Sequence, residues 1–263
     1  MNIEKAFAKI NEAEIISLPI GAPEADADTI VSPIPASMMP IEQAAASLGR
    51  SLPDNLWKYH DGDGSLLFAV ARWNDANGNK ASFLPISCVR GADGTERFAF
   101  KHLPAPRPLY GLPDLRKRPN APVVIVEGEK CADAAKAVFP SSVVVTSPGG
   151  SNGAAQVDWA PLAGRSRVLI WPDLDAAGTK FATAVASILS GLGIPEILIV
   201  DAQRIAHGTA QNKRETVAGW DIADAVAEGS EGSALRVAAI AAAQSYRPGP
   251  RFLSFGNFTM FVN

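Results

Sequence analysis

The sequence is poor in cysteine, and this excludes several kinds of site. Only Cys88 and Cys131 occur among the 263 residues, and they lie far apart. Two cysteines cannot form a four-cysteine zinc ribbon, and a single histidine such as His207 provides no metal site by itself. A disulfide framework is equally unsupported, so a reducing, cytoplasmic environment is the simpler expectation.

The sequence also lacks long apolar runs and an excess of basic charge. No stretch approaches the roughly 18–20 uninterrupted apolar residues of a membrane helix, so we expect no membrane partner. The N-terminal segment contains the acidic residues Glu4 and Glu12, so it does not resemble a secretory signal. With a net charge of −3 and a pI near 5.7, no global basic field attracts nucleic acid. A nucleic-acid role therefore needs a local basic patch, or metal ions that bridge phosphates.

The sequence does contain two apolar strand patterns that each end in acidic residues. Residues 123–126 run into Glu127-Gly128-Glu129-Lys130, and residues 168–171 run into Pro172-Asp173-Leu174-Asp175. Strand and helix patterns alternate from residue 122 to about 201, which predicts a parallel sheet flanked by helices. Because ligands bind at the carboxyl ends of the strands in such sheets, we expect both acidic groups in one site.

The second acidic group has a spacing that suits a cation. Residues i and i+2 of an extended chain point to the same side, so Asp173 and Asp175 can face one ion. Oxygen ligands with no His or Cys near them in the sequence favour Mg²⁺ or Mn²⁺, and not zinc. Alternatively, Asp175 only caps the helix that begins near Ala176. The acidic end of the other strand favours the metal site.

The order of these motifs resembles the Toprim domain. That domain is shared by bacterial and phage primases, type IA and II topoisomerases, OLD-type nucleases and small RNA-maturation nucleases. The resemblance covers about residues 123–201, with one hydrophobic strand ending in E-G-E-K and a later one in D-x-D-x-x-G. It implies that Glu127 is a general acid/base or a metal ligand, and that Asp173 and Asp175 bind Mg²⁺.

Three more segments resemble the Toprim primases of phage and mobile-element primase-helicases. They are residues 107–112, 147–150 and 219–224, with the sequences RPLYGL, SPGG and GWDIAD. The resemblance implies that the last segment adds a carboxylate to the metal site. We assign that role to Asp224, whereas Asp221 is predicted to cap the helix that follows it. Trp220 stands where a lysine is common in the family.

Some residues near the predicted site are candidates for binding phosphate. Gly149 and Gly150 lie in the loop after the strand pattern at 143–147, where backbone N–H groups could bind a phosphate. Lys130 could bind one with its ammonium group. The alternatives are a tight strand-to-helix turn and a lysine that simply extends from a helix surface. The loop lacks the G-K-S/T of a P-loop, so ATP binding is not indicated.

The proline-rich segment before the first acidic strand is the best candidate for a nucleic-acid patch. Its basic residues are Arg107, Arg116, Lys117 and Arg118. A segment this basic in so acidic a chain favours contact with phosphates. A charged, exposed linker is the alternative.

Upstream of this segment, the sequence predicts a small antiparallel sheet. Residues 66–73, 81–86 and 97–101 are strand patterns, separated by turn signals at 61–64, 77–78 and 93–94. The runs at 61–64 and 75–79 resemble calcium loops but lack the closing Glu, which favours turns. Basic and aromatic residues of this sheet could bind a single strand, or could be exposed charges and core.

These patterns predict five successive regions. Residues 1–50 form an N-terminal helix over 1–16, a Pro-rich linker over 17–40 and a short helix over 41–48. Residues 51–104 form the β-rich domain and 105–121 the basic connector. Residues 122–228 form the Toprim domain, with 203–219 as a polar loop, and 229–263 a C-terminal helix and a strand-like tail.

The predicted function is that of a DNA primase-like nucleotidyltransferase, which makes short primers on single-stranded DNA during phage or mobile-element replication. Catalysis is assigned to Glu127, Asp173 and Asp175 with Mg²⁺ or Mn²⁺. The expected partners are the template and nucleotides. Because no helicase motif follows in the sequence, a replicative helicase would be a separate chain or would lie outside this sequence. The alternatives are a Toprim-type metal-dependent nuclease and a non-catalytic nucleic-acid-binding accessory protein.

Overall fold

The computed structural model describes residues 28–74, 81–150, 153–209 and 218–248, and the backbone of 251–255 and 258–262. Several sequence predictions lie outside these residues. They are the helix over 1–16, the first part of the linker over 17–40, the turn at 75–79 and the middle of the loop over 203–219.

An antiparallel sheet of five strands forms the first part of the described chain. The strands are β1 (Thr29–Val31), β2 (Asn55–His60), β3 (Leu66–Trp73), β4 (Ser82–Arg90) and β5 (Glu96–Ala99). Their order is β1-β4-β3-β2, and β5 also pairs with β4. A short 3₁₀ helix (Ile41–Gln43) and α1 (Ala44–Ser47) form the predicted helix over 41–48 and pack on this sheet.

Two features of this sheet differ from the prediction. Residues 17–40 were predicted to be a linker, but β1 pairs with β4, with Thr29 opposite Arg90. Prolines flank this three-residue strand on its C-terminal side, which hid its short pattern. The strand β2 was not predicted either, although its Trp57 and Tyr59 alternate inward in the manner of a half-buried strand.

The Asp-Gly segments of this sheet are turns, as predicted. The Asp61 carboxylate accepts hydrogen bonds from the backbone N–H groups of Asp63 and Ser65, both at 2.9 Å. Asp93 accepts one from the N–H group of Thr95 at 2.9 Å. These carboxylates therefore stabilise the turns locally, which is a common use of Asp in such positions.

The second part of the chain is a mixed sheet flanked by helices, which confirms the predicted α/β fold class. Its strands are β6 (Val123–Val126), β7 (Val143–Thr146), β8 (Arg167–Trp171), β9 (Glu196–Val200) and β10 (Ala243–Ser245). They follow the order β10-β9-β8-β6-β7, with β6 to β9 parallel and β10 antiparallel to β9. The strands β6 and β7 consist almost entirely of valine and isoleucine because both faces of the sheet are covered.

Six α-helices lie among the described residues of this part. They are α2 (Leu112–Lys117), α3 (Glu129–Val138), α4 (Ala176–Gly191), α5 (Ala202–Thr209), α6 (Ile222–Ala227) and α7 (Gly232–Ala242). Apolar residues of α3, α5, α6 and α7 pack on one face of the sheet. Those of α2 and α4 pack on the other. The sheet therefore lies between two helical layers.

The C-terminal half contains elements that the sequence patterns did not predict. Part of the predicted loop over 203–219 is helical, because α5 buries Ile205 and Ala206 against the sheet. The strand β10 follows α7 directly and extends the sheet. The strand-like tail is a hairpin of β11 (Arg251–Phe255) and β12 (Phe258–Val262).

The segment predicted to be a basic connector is packed against the parallel sheet. Leu109 and Leu115 are buried in the core, and the Tyr110 N–H group donates to the Thr146 carbonyl at 2.9 Å. From that point α2 runs back toward the amino ends of the strands. No helix within the described ranges is long and apolar enough to cross a membrane.

Candidate metal centre

The carboxyl ends of two adjacent strands bring Glu127 and Asp173 together. The strands β6 and β8 pair in parallel, with Val126 opposite Trp171. Glu127 follows directly after β6, and Asp173 follows β8 after a single proline. The sequence prediction that both acidic motifs meet at one edge therefore matches the observed strand order.

The surroundings of Asp173 disfavour its ionised form. Burial raises the pKa of Asp173 to about 8, together with the negative charges of Glu127, Asp221, Asp175 and Asp224. Such a carboxylate favours a nearby positive charge, because a cation would relieve the repulsion among these groups.

Asp175 caps a helix, as the alternative interpretation of the D-x-D motif stated. Its Oδ1 accepts a hydrogen bond from the Gly178 N–H group at 2.7 Å, at the start of α4. Asp175 still lies beside Asp173 and contributes to its raised pKa. Asp175 can therefore cap α4 and still lie at the acidic edge.

Gly178 allows the first turn of α4 to lie against the Asp173 backbone. A Cβ atom at Gly178 would lie 2.3 Å from the Asp173 carbonyl oxygen, closer than any real contact. Sterics therefore explain the glycine of the D-x-D-x-x-G motif, because two backbones approach each other closely at this position.

The segment at 219–221 returns to the acidic edge, as the family resemblance implied. The Leu174 N–H group donates to the Trp220 carbonyl at 2.8 Å, and the Gly219 N–H group to the Leu174 carbonyl at 3.0 Å. This pairing holds Asp221 beside Asp173.

Asp221 has two roles at once. Its side chain caps α6 by accepting from the Asp224 N–H group at 2.8 Å, and Asp224 completes a reciprocal capping box. Asp221 also contributes an oxygen to a group with Asp173 and Cys131. Asp224, to which we assigned the metal-site role, is hydrogen-bonded to Lys130 at 3.0 Å, and its charge contributes to the raised pKa of Asp173.

Cys131 belongs to this site, although the sequence analysis found no cysteine near Asp173 and Asp175 in the sequence. Its Sγ and oxygens of Asp173 and Asp221 all lie within 4.8 Å of one another. Burial raises the pKa of the Cys131 thiol, and the charges of Asp221 and Asp173 raise it further. The sequence records only that Cys131 lies four residues after Glu127, whereas its approach to Asp173 and Asp221 is a tertiary contact.

The donor set fits a divalent cation that prefers oxygen ligands. Asp173 and Asp221 would hold such an ion directly, with Glu127 and Asp175 beside them. Burial and the neighbouring carboxylates raise the pKa of Asp173, and a bound cation would offset both effects. The protonated thiol leaves carboxylate oxygens as the charged donors, which suits hard cations.

Lys130 is the positive group closest to this set in the described chain. Its Nζ lies 3.0 Å from Asp224 Oδ1 and 3.8 Å from Asp221 Oδ2. Burial lowers the pKa of Lys130, but the hydrogen bond with Asp224 and the two negative charges raise it overall. Lys130 is therefore an ion-pair partner of the acidic edge.

The glycine-rich loop lies on the other side of Glu127. It follows β7, which pairs with β6, and Gly149 and Gly150 both adopt left-handed backbone conformations with φ of 91° and 60°. Residues 151–152 lie outside the described residues. The position and backbone of the two glycines suit close approach by a ligand at this edge.

A cleft of about 590 Å³ opens from the acidic edge along α4 and β10. Its lining includes Asp173, Asp175 and Asp201 as well as Tyr246 and Arg247, which follow β10. Polar and apolar groups contribute about equally to the lining, and the volume falls within the usual size range of sites for small molecules.

The basic residues of α2 lie away from the acidic edge. Arg118 donates to the Pro140 carbonyl at 3.2 Å, just before β7 begins, so it lies near the amino ends of the strands. Arg116 forms an ion pair with Asp63 at 2.6 Å. Lys117 is exposed beside them, whereas Arg107 donates to the Leu103 carbonyl at 2.9 Å.

The antiparallel sheet contacts the first turns of α3 through two aromatic residues. The Tyr59 hydroxyl donates to Glu129 Oε1 at 2.7 Å, and the Trp57 Nε1 group donates to Asp133 Oδ2 at 2.9 Å. Burial raises the pKa of Glu129 and that of Tyr59. Glu129, the second Glu of the E-G-E-K motif, therefore joins the two sheets.

The aromatic residues predicted as alternative stacking sites belong mainly to the core. Trp57, Tyr59 and Trp73 are buried. Arg90 pairs with Glu96, and Arg97 pairs with Asp28. This sheet face therefore matches the interpretation of core aromatics with paired, exposed charges.

No protein-family model matches the chain, and no curated protein does either. Solved structures with a similar fold include a DNA primase domain from Pseudomonas aeruginosa, with 19% identity, a TM-score of 0.47 and coverage of 72% of this chain and 51% of that one. Another is a DnaG primase catalytic domain bound to ssDNA, with 16% identity, a TM-score of 0.42 and coverage of 72% and 51%. The primase fragment of the bacteriophage T7 primase-helicase has 18% identity, a TM-score of 0.35 and coverage of 62% and 58%. This chain thus spans about half the length of the first two.

Proposed function

We propose that this chain is a primase-like module that transfers nucleotides to a growing primer on single-stranded DNA. The observation that carries the proposal is the meeting of Glu127, Asp173 and Asp221 at the carboxyl edge of the parallel sheet, where burial and repulsion raise the pKa of Asp173 to about 8. Carboxylates gathered in this way are suited to bind divalent cations and, through them, triphosphates. The motif order resembling Toprim primases supports synthesis as the reaction.

Each acidic residue has a role in this proposal. Asp173 and Asp221 hold Mg²⁺ or Mn²⁺, and Asp175 supports them while it caps α4. Bound at this edge, the cation would neutralise phosphate charge. Glu127 accepts the proton of the attacking 3′-hydroxyl as a general base, or adds a further ligand.

The surroundings of the centre provide surfaces for the nucleotides and the template. Backbone N–H groups near Gly149 and Gly150 contact phosphates, and the cleft toward Tyr246 and Arg247 receives a nucleotide or the template strand. The basic residues Arg107, Arg116, Lys117 and Arg118 bind the DNA backbone farther from the reaction. We place this activity in the cytoplasm, beside a replicative helicase on a separate chain or segment.

A templated primer-synthesis assay with Mg²⁺ and with Mn²⁺ tests the proposal. The wild-type chain should extend primers, and Asp173→Asn should lower the rate at least about 100-fold because the metal centre loses its central carboxylate. Asp93→Asn is the matched control. Asp93 lies in a turn of the antiparallel sheet and accepts a hydrogen bond from the Thr95 N–H group at 2.9 Å, a local role that Asn can also fill.

The same preparation distinguishes the two alternative functions. Cleavage of labelled DNA or RNA without triphosphates, lost in Glu127→Gln, would replace synthesis by hydrolysis. Template binding that is equal in EDTA and in Mg²⁺, without turnover of any kind, would indicate an accessory protein. Equal extension by wild type and Asp173→Asn would remove this centre from the reaction.

A further inference from the structure

The acidic edge carries a positive group of its own. Lys130 lies in the first turn of α3, and its Nζ lies 3.0 Å from Asp224 and 3.8 Å from Asp221. Asp221 is also one of the three residues whose ligand atoms converge with Asp173 and Cys131. Lys130 and a metal ion at this group would therefore share Asp221.

We propose that Lys130 is an exchangeable counterion, which competes with the divalent cation for Asp221 and thereby makes metal loading depend on the arrival of a triphosphate. This inference rests on the proposed function, because it assumes a cation at Asp173 and Asp221. It assigns to Lys130 a role that differs from simple phosphate binding.

The competition follows from charge and distance. An ammonium group that lies 3.8 Å from Asp221 would be a close neighbour of any cation bound to the same carboxylate. Like charges at such separations repel, and the repulsion is screened incompletely in a partly buried site. Cation binding therefore either weakens the contact between Lys130 and Asp221 or is weakened by it.

The position of Lys130 permits the exchange. About half of its side chain is exposed, at 48%, so its flexible stem can turn toward solvent or toward Asp224 alone. Asp224 keeps its place in the capping box of α6 whichever way Lys130 turns. A triphosphate at this edge would attract the ammonium group away from Asp221, and that carboxylate would become more available to the metal.

A titration of the full chain with Mn²⁺, followed by the electron paramagnetic resonance of the free ion, tests this inference without requiring activity. Lys130→Gln should bind Mn²⁺ roughly tenfold more tightly than wild type in the absence of nucleotide, since a repelling charge is removed. Lys130→Arg keeps the charge and should bind as wild type does. Lys136→Gln is the matched control, because Lys136 lies on the same helix and pairs with Asp133 at 2.8 Å.

A second titration examines the dependence on triphosphate. A non-hydrolysable nucleoside triphosphate should tighten Mn²⁺ binding to the wild type, after correction for Mn²⁺ bound by the free nucleotide, and should tighten binding to Lys130→Gln much less. Equal or weaker Mn²⁺ binding by Lys130→Gln overturns the inference.

Asp173→Asn separates failure of the inference from failure of the proposed function. If it abolishes Mn²⁺ binding while Lys130→Gln resembles wild type, the metal centre stands and the competition is refuted. If neither wild type nor Lys130→Gln binds Mn²⁺, both the inference and the proposed metal centre fail. Melting temperatures of all variants confirm that each protein is folded.

Discussion

The two edges of the parallel sheet carry opposite charges, but they differ more in how those charges are satisfied. At the amino edge the buried Arg165 donates to the carbonyls of Arg118 at 2.6 Å and Leu115 at 2.5 Å. At the carboxyl edge Asp173 is surrounded by other carboxylates, which raise its pKa. The amino edge is therefore built for stability, and the carboxyl edge retains repulsion that a bound cation would relieve.

The pH dependence of stability should show the largest difference between the edges. The folded pKa of Asp173 is about 8, against an ordinary value of 3.8, so the folded protein holds a proton that the unfolded chain has lost. The stabilising contribution of this proton is fully present below about pH 4, and it is lost as the pH rises to about 8. The loss should reach up to about 1.4 kcal/mol per pH unit for one proton.

Urea unfolding of the metal-free protein from pH 4 to pH 8 measures this effect. Asp173→Asn is the reference, because it removes the titrating group but keeps the shape of the side chain. The free energy of unfolding of wild type should fall relative to this variant as the pH rises, and Mg²⁺ should flatten the difference. Parallel curves for the two proteins would contradict the raised pKa.

The next largest effect should come from Gly178→Ala, where the usual rule for glycine in a helix reverses. Alanine normally stabilises a helix by about 1 kcal/mol relative to glycine. Here the new Cβ would lie 2.3 Å from the Asp173 carbonyl, so we expect a loss of roughly 1–3 kcal/mol from overpacking.

Gly191→Ala is the matched control for this substitution. Gly191 is the last residue of the same helix, and no other group lies within 4 Å of a Cβ placed there. This variant should be neutral or slightly more stable in thermal unfolding. A Gly178→Ala protein that melts at or above the wild-type temperature would show that the backbone at Asp173 can move to accommodate the added methyl group.

The acidic edge could be predicted from the sequence because its signals are local. Apolar runs followed by Glu127 and Asp173 mark strand ends, and the parallel arrangement then brings those ends together. The cap at Asp175 was also predictable, because Asp is favoured before a helix. Such features depend on a few neighbouring residues and on one topological rule.

The remaining parts of the site depend on tertiary contacts that no local pattern records. Cys131 enters through the orientation of α3, and Tyr59 meets Glu129 across 70 residues of sequence. The helix α5 and the strand β10 have short patterns, and packing against the sheet determines their structure. Asp221 and Asp224 lie about one helical turn apart, and the sequence alone could not show which of the two side chains faces the acidic group.

A smaller effect should separate the two roles of Asp221. Asn caps helices about as well as Asp, so Asp221→Asn should keep the melting temperature but weaken Mn²⁺ binding. Asp221→Ala should also weaken metal binding and should cost about 1 kcal/mol of stability, because the cap is lost.

Asp158→Asn provides the comparison for Asp221→Asn. Asp158 accepts a hydrogen bond from the Ala160 N–H group at 3.0 Å, a local capping contact outside the acidic group. It should leave Mn²⁺ binding unchanged. If Asp221→Asn also left metal binding unchanged, Asp221 would be a cap alone, and the ion would have to be held by other carboxylates.

The smallest effect on stability is expected at the basic surface of the amino edge. Arg116, Lys117 and Arg118 are changed together to Gln in one variant. The Arg116–Asp63 ion pair is largely exposed, with 63% and 70% of the two side chains accessible, so its loss should cost well under about 1 kcal/mol.

Binding of single-stranded DNA should respond more clearly. If all three side chains neutralise phosphates, the slope of log K against log salt should become shallower by about 2, at roughly 0.7 per contact. Fluorescence anisotropy with a labelled oligonucleotide at several salt concentrations measures the slope. Arg90→Gln on the antiparallel sheet, which removes another exposed and paired arginine, should leave it unchanged. An unchanged slope in the triple variant would place the template wholly on other surfaces, and the amino edge would then be structural throughout.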